Sequence, residues 1–307
     1  MAIAVDSASP REELFTTASP SHVSPLEAWH LLSLDAPTVA ALWSWFFARA
    51  MRIDLPWHAP LLLALGTWLV YVADRLLDGL RPDPATPLRQ RHLFHARHRK
   101  AFVGAAIAVG VSLSWLIVAR MTSAARYEDT VLFAIALAYL GIVHKPRANR
   151  STWLPKELAV GLVFAAATAV PAWSRLQAGR ATLLPAIALF AALCWLNCVA
   201  IERWENLAPN GKLDSPGAHS TTCWAAEHLR LAACSLAAIS AIFGLVEFQL
   251  AHWTSSPSTA AIYLAAILAA LCIAAIDRQR ANFSSTGLRI AADAVLLTPL
   301  LFLPFLR

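Results

Sequence analysis

Two carboxylates near the end of the second long apolar segment are well suited to chemistry. Asp74 and Asp78 close the run Thr67-Trp-Leu-Val-Tyr-Val-Ala-Asp-Arg-Leu-Leu-Asp, and a spacing of four places both on one helix face, about a turn apart. Such a pair can hold Mg²⁺, which takes one or two carboxylates together with waters and phosphate oxygens. The alternative is a pair of interfacial carboxylates with Arg75 and Arg81 as neighbours, where a charge costs less than at mid-span.

The sixth apolar segment ends in a second polar cluster, Asn197-Cys-Val-Ala-Ile-Glu-Arg-Trp-Glu. Glu202 and Glu205 are three residues apart and share a helix face, and Asn197 lies about 80° around the helix from Glu205. The three side chains can converge on one ligand. The alternative is an ordinary helix end at which the glutamates pair with Arg203.

The loop from Arg89 to Lys100 carries five cations and also His92, His95 and His98. The regular spacing of the histidines suggests a metal site, but the surrounding cations would repel a metal ion. We therefore favour contact with a diphosphate or a lipid headgroup through residues such as Arg89 and Arg91. Further ionisable residues fall at the same ends of the apolar segments: Asp35, Lys156, Glu157, Asp277 and Asp293.

The elements that position these residues are transmembrane helices. Of the 307 residues, 58% are hydrophobic and 14% are charged, against roughly 45–50% and 25% in soluble domains. A helix needs about 20 apolar residues to cross a bilayer, so the sequence predicts an all-α bundle of about nine spans. They lie near 30 to 50, 59 to 78, 101 to 120, 128 to 143, 155 to 174, 181 to 201, 229 to 250, 259 to 276 and 287 to 306.

Lysine and arginine are concentrated in alternate loops, those after the even-numbered spans. Because such loops are normally cytoplasmic, we expect a multi-pass protein of the inner (cytoplasmic) membrane with its N-terminus inside and its C-terminus outside. The net charge of +6 has this membrane explanation, which argues against nucleic-acid binding. Residues 1–27 are expected to form a disordered cytoplasmic tail and residues 28–307 a single bundle.

Taken together, these features resemble the UbiA superfamily of intramembrane prenyltransferases, nine-helix bundles with Mg²⁺-binding acidic motifs on the second and sixth helices. Asp74 and Asp78 match the last two acidic positions of the family's NxxxDxxxD motif, and Val70 stands at its asparagine. Glu202 and Glu205 stand in the region of the second motif. The family's tyrosine and lysine around the fourth-to-fifth helix connection correspond to Tyr139 with Lys145 or Lys156.

The resemblance implies transfer of a prenyl group from a polyprenyl diphosphate to a lipid-soluble or aromatic acceptor. Mg²⁺ would be held by Asp74, Asp78, Glu202 and Glu205, with the basic residues assisting at the diphosphate. A second hypothesis is a related bundle without catalysis that binds lipid or serves as an accessory membrane protein. A transporter is less well supported, since the sequence contains no internal repeat.

Overall fold

The computed structural model of the chain describes residues 24–80, 90–121, 155–176, 179–208, 213–215, 218–254 and 260–306, together with single residues between 123 and 134. These residues form eleven α-helices. Their bounds are α1 Pro25–Leu31, α2 Asp35–Ala50, α3 His58–Leu80, α4 Gln90–Arg97, α5 Arg99–Arg120, α6 Lys156–Trp173, α7 Leu184–Glu205, α8 Ser220–Glu227, α9 Leu229–Thr254, α10 Ala260–Gln279 and α11 Ser285–Val295.

The predicted all-α membrane bundle is confirmed in its fold class. Among the described residues, six helices are long and apolar enough to cross a membrane, or up to seven if the bent pair α1 and α2 forms one span. The six correspond to the predicted second, third and fifth to eighth spans. The predicted fourth span lies mostly outside the described residues.

The first and last predicted spans are not continuous helices. α1 begins at Pro25, inside the predicted tail, and meets α2 at a bend of 91°. At the other end of the chain, α11 stops at Val295 and is followed by two short 3₁₀ turns that contain Pro299 and Pro304. A proline lacks the N–H that continues a helix and clashes with the preceding turn, which explains why the predicted ninth span is broken.

The bundle core lies where α2, α6, α7 and α10 meet. Trp43 stacks on Phe190 with 4.0 Å between ring centroids, and its indole N–H donates to the Leu296 carbonyl at 2.7 Å. α6 approaches α7 closely at Gly161, where a Cβ would lie 2.7 Å from the Ala191 carbonyl oxygen. Small residues of this kind let transmembrane helices pack backbone to backbone.

The outer faces of the bundle are apolar. On α5, exposed side chains recur every three or four residues, at Val103, Ile107, Val111, Trp115 and Val118. An exposed apolar face of this extent is typical of a surface covered by lipid. The charged side chains described below therefore mark one polar end of an otherwise apolar bundle.

Candidate functional site

A buried polar cluster lies at the bend between α1 and α2. Asp35 is the first residue of α2, a position that the helix dipole makes favourable for a carboxylate, and its Oδ1 accepts the Ala36 backbone N–H. The bend brings His30 back to it, with 2.9 Å between His30 Nδ1 and Asp35 Oδ2. Asp293 Oδ2 of α11 lies 3.8 Å from the same nitrogen. Side chains from α1, α2 and α11 thus meet at the bend.

Arg75 of α3 completes this cluster. Its guanidinium is buried and lies 3.7 Å from Asp35 Oδ2, donates to the His30 carbonyl at 3.3 Å, and also donates to the Ser33 hydroxyl. Arg75 therefore ties α3 to the bend, at which Ser33 has a positive φ of 60°. That conformation is uncommon for a residue with a side chain, and the Arg75 contacts help to hold it.

The three ligand atoms of His30, Asp35 and Asp293 lie within 4.8 Å of one another. An imidazole with two carboxylates is a donor set typical of transition metals. Here, however, Arg75 supplies a positive charge beside Asp35, and the distance from His30 Nδ1 to Asp35 is that of a direct hydrogen bond. We therefore assign the cluster the structural role of fixing the bend.

A second buried chain of hydrogen bonds leads from Ser33 to α4. His95 has no exposed surface, and its Nδ1 donates to the Arg91 carbonyl at 2.9 Å. This fixes the tautomer, so Nε2 accepts the hydrogen bond of the Ser33 hydroxyl at 3.1 Å. Burial, and then the nearby Arg75 charge, lower the pKa of His95 to about 4. The expected headgroup contact of the histidine loop therefore does not apply to His95, which instead anchors α4 to the bundle.

The predicted α3 carboxylates lie next to this cluster in the chain. Asp74 and Asp78 are a turn apart on α3 and half-buried, and the Asp78 side chain keeps 43% of its surface exposed. Asp78 Oδ2 lies 3.8 Å from His92 Nε2 on α4. α4 therefore lies beside the last turn of α3.

The two glutamates at the end of α7 have different neighbours. Glu202 accepts hydrogen bonds from the Asn206 amide at 2.9 Å and from the Ser215 hydroxyl. Glu205 accepts from Arg289 of α11 at 2.7 Å. Their spacing predicts a shared helix face, but the two side chains have separate partners: Glu202 contacts the loop that follows α7, and Glu205 contacts α11.

Asn197 lies deeper in α7 and is 4% exposed. Its Oδ1 is buried without a hydrogen-bond partner among the described residues. A buried amide oxygen in this state costs free energy unless a ligand, ion or water satisfies it.

The N-terminus of α6 belongs to the same polar end. Glu157 is buried and accepts the Thr222 hydroxyl at 2.9 Å, while its other oxygen lies 3.6 Å from Lys156 Nζ. Cys198 of α7 is within electrostatic range of Glu157, Lys156 and Glu202. Lys156, one of the predicted diphosphate ligands, therefore lies near Cys198 of α7.

A cavity of about 380 Å³ opens at this end of the bundle. Arg91, a predicted diphosphate ligand, lines it; its Nη1 is buried without a partner among the described residues, and its Nε donates to His92. Glu205 and Arg289 also line this cavity. The remaining predicted diphosphate ligands, Arg89, Tyr139 and Lys145, lie outside the described residues.

The sequence did not predict the buried contacts of His30, Arg75 and His95. A bend of 91° brings His30 to Asp35, and the sequence Leu32-Ser-Leu contains no glycine or proline to signal it. The signal that was visible was the depth of the charges, since Asp35 and Asp293 were both placed at the polar end. Ionisable groups at such positions usually face the bundle interior.

Comparison with solved structures identifies a similar fold. The chain resembles the apo structure of a UbiA homolog from Aeropyrum pernix K1, with a TM-score of 0.53 and 16% sequence identity, over 87% of this chain and 98% of that one. No protein-family model and no curated protein sequence matches the chain. The fold is therefore UbiA-like, a likeness that is evident in the structure at only 16% sequence identity.

Proposed function

We propose that this protein is an intramembrane prenyltransferase that moves a prenyl group from a polyprenyl diphosphate to a lipid-soluble or aromatic acceptor, with Mg²⁺ as cofactor. The observation that carries the proposal is the UbiA-like fold over 87% of the chain, combined with Asp74 and Asp78 on consecutive turns at the polar end of α3.

The α3 residues fit a magnesium ion by their chemistry. Mg²⁺ prefers oxygen ligands and commonly takes one or two carboxylates, with phosphate oxygens and waters completing its shell. Asp74 and Asp78 offer two carboxylates one turn apart, and the exposed part of Asp78 leaves room for water. When bound, the ion neutralises charge that develops on the leaving diphosphate.

The chain's own residues bind and orient the diphosphate. Arg91 lines the polar cavity with a buried guanidinium nitrogen that lacks a partner in the described part of the chain, and Lys156 lies at the start of α6 with more than half of its side chain exposed. Arginine forks and lysine ammonium groups are the usual ligands of phosphate oxygens. Fixed positive groups beside a diphosphate would favour the transition state, in which the leaving group gains negative charge.

The transfer itself exchanges one bond for another. The bond between the first prenyl carbon and the diphosphate oxygen breaks, and its electron pair leaves with the diphosphate. The acceptor forms a bond to that carbon and releases a proton. The apolar bundle interior excludes water that would otherwise capture the prenyl cation. Trp195 of α7 is partly buried and packs against the core, and an aromatic ring can stabilise a cation through its face.

The test is diphosphate release by purified protein with Mg²⁺, a prenyl diphosphate and a panel of aromatic acceptors. Asp74→Asn and Asp78→Asn should each lower the rate by about 10²-fold or more, since charge stabilisation at the leaving group is commonly worth that much. Asp54→Asn is the matched control, because Asp54 is exposed in the loop before α3. Turnover of both α3 variants at the wild-type rate would contradict the metal assignment.

A bundle that binds a prenyl lipid without turnover is the second candidate. The partners of the α7 glutamates support it, because Arg289 and Ser215 already neutralise or hydrogen-bond the carboxylates that correspond to the second acidic motif. The same assay separates the candidates. Saturable binding of a prenyl diphosphate analogue, with no release of diphosphate for any acceptor, would favour the accessory function.

A further inference from the structure

A second charged cluster lies at the polar end of the bundle, next to Trp204, which lines the cavity. Its centre is Asp277 of α10, which is 3% exposed. Arg203 Nε and the Trp204 indole N–H both donate to Asp277 Oδ1 at 3.1 Å. Arg280 and Arg230 add contacts of 3.4 Å and 3.5 Å to the same carboxylate. Three guanidinium groups thus surround one negative charge.

One arginine is enough to neutralise Asp277. Arg203 does so from within the bundle, and its Nη1 donates to the Ala226 carbonyl at 2.6 Å. The other two leave a surplus of two positive charges. Among the residues the structure describes, neither Arg230 nor Arg280 has a second carboxylate within ion-pair distance.

The two surplus arginines are accessible. The Arg230 side chain is 65% exposed and that of Arg280 is 38% exposed, and their contacts to Asp277 are longer than good charge-assisted hydrogen bonds. Asp277 therefore contacts both guanidinium groups while their side chains stay partly exposed. Such an arrangement is complementary to an anion with several oxygens.

The position of this cluster indicates which anion. Arg230 is the second residue of α9, and the same helix continues with exposed apolar side chains at Leu231, Ile239, Ile242 and Leu245. Exposed apolar side chains of a membrane helix contact acyl chains, and the headgroup phosphates lie where the apolar face ends. Trp224 of α8 is exposed and stacks on His228, the residue that follows this helix. Tryptophan is enriched at that interface.

We propose that Arg230 and Arg280 form a binding site for the headgroup phosphate of an anionic phospholipid, with the acyl chains along the exposed face of α9. Asp277 and Arg203 form the buried base of the site, and Asp277 contacts both arginines from the side of the bundle core. None of these four residues lines the polar cavity, although Trp204, which donates to Asp277, does. Its existence does not depend on the proposed prenyl transfer.

The experiment is native mass spectrometry of the full chain in detergent with added phosphatidylglycerol or phosphatidylcholine. The wild type should retain phosphatidylglycerol in preference to phosphatidylcholine. The double variant Arg230→Gln, Arg280→Gln should bind phosphatidylglycerol about 30-fold more weakly, as expected for the loss of two interfacial arginines. Arg278→Gln is the matched control, because Arg278 is exposed on the same helix end but does not contact Asp277.

Three results would overturn the proposal. The first is phosphatidylglycerol binding by the double variant that matches the wild type, and the second is a loss of this binding in Arg278→Gln as large as that in the double variant. The third is displacement of phosphatidylglycerol from the wild type by millimolar inorganic phosphate. If the double variant does not fold, Arg230→Gln alone is used. Its side chain is mostly in solvent and Arg203 still pairs with Asp277. A selective, severalfold loss in that variant supports the site, and wild-type binding refutes it.

Discussion

The buried histidine of α4 should make the protein sensitive to mild acid. His95 is neutral in the folded state because Nε2 must accept the Ser33 hydroxyl and because Arg75 is close by. Its pKa is lowered from 6.5 to about 4, mainly by burial. The unfolded chain therefore binds a proton at a higher pH than the folded protein. The stability that this histidine contributes is fully present above pH 6.5 and is lost as the pH falls toward 4.

The size of the effect follows from the two pKa values. The difference between a pKa of 6.5 and one of about 4 corresponds to a loss that reaches about 3.4 kcal/mol well below pH 4. Between pH 7.5 and pH 5 the same linkage gives about 2 kcal/mol.

The measurement is reversible unfolding by SDS titration, followed by circular dichroism at pH 7.5 and pH 5. His95→Gln removes the titrating group, so its unfolding free energy should change about 2 kcal/mol less over this interval than that of the wild type. His98→Gln is the control, since His98 is exposed on the same loop. If His95→Gln loses stability with acid as steeply as the wild type, the histidine is not the titrating group and the argument fails.

Two further substitutions test the packing that supports the polar end. Asp277→Asn should lower the unfolding free energy by about 3–5 kcal/mol in the same SDS titration, because it leaves the buried Arg203 without its counter-ion; a loss below 1 kcal/mol would contradict this. Gly161→Ala should cost about 1–3 kcal/mol, because its Cβ would meet the α7 backbone at 2.7 Å, whereas Gly104→Ala on α5, with nothing within 4 Å, should be neutral or slightly stabilising.

The sequence was sufficient for the general architecture. Long apolar runs predicted α3, α5 and α10 within a few residues, because a bilayer demands about 20 apolar residues per span. The spacing of Asp74 and Asp78 likewise predicted their common helix. These features depend on local composition and on helix periodicity, which a single sequence contains.

What the sequence did not predict depends on packing between distant segments. The close approach of His30 and Asp35 requires the bend at Ser33. His95 is buried because Ser33 and Phe102 lie against it, and the rings of His95 and Phe102 stack with 3.9 Å between their centroids. Arg289 lies four residues before Asp293 on α11, yet it donates to Glu205 on another helix. Partner choice of this kind is decided by which helices are neighbours.

On α3, a residue whose role was predicted from the sequence stands directly before one whose role depends on packing. Asp74 and Arg75 are consecutive, so they point about 100° apart around α3. Arg75 is directed into the contact with α1 and α2, where it bonds Ser33 and the His30 carbonyl, and this contact fixes the rotation of α3 about its axis. Since the rotation of a helix sets the direction of all its side chains, Arg75 also determines where the carboxylates of Asp74 and Asp78 lie. The structural arginine and the candidate metal ligands are therefore one unit, although only the carboxylates have the chemistry of a magnesium site.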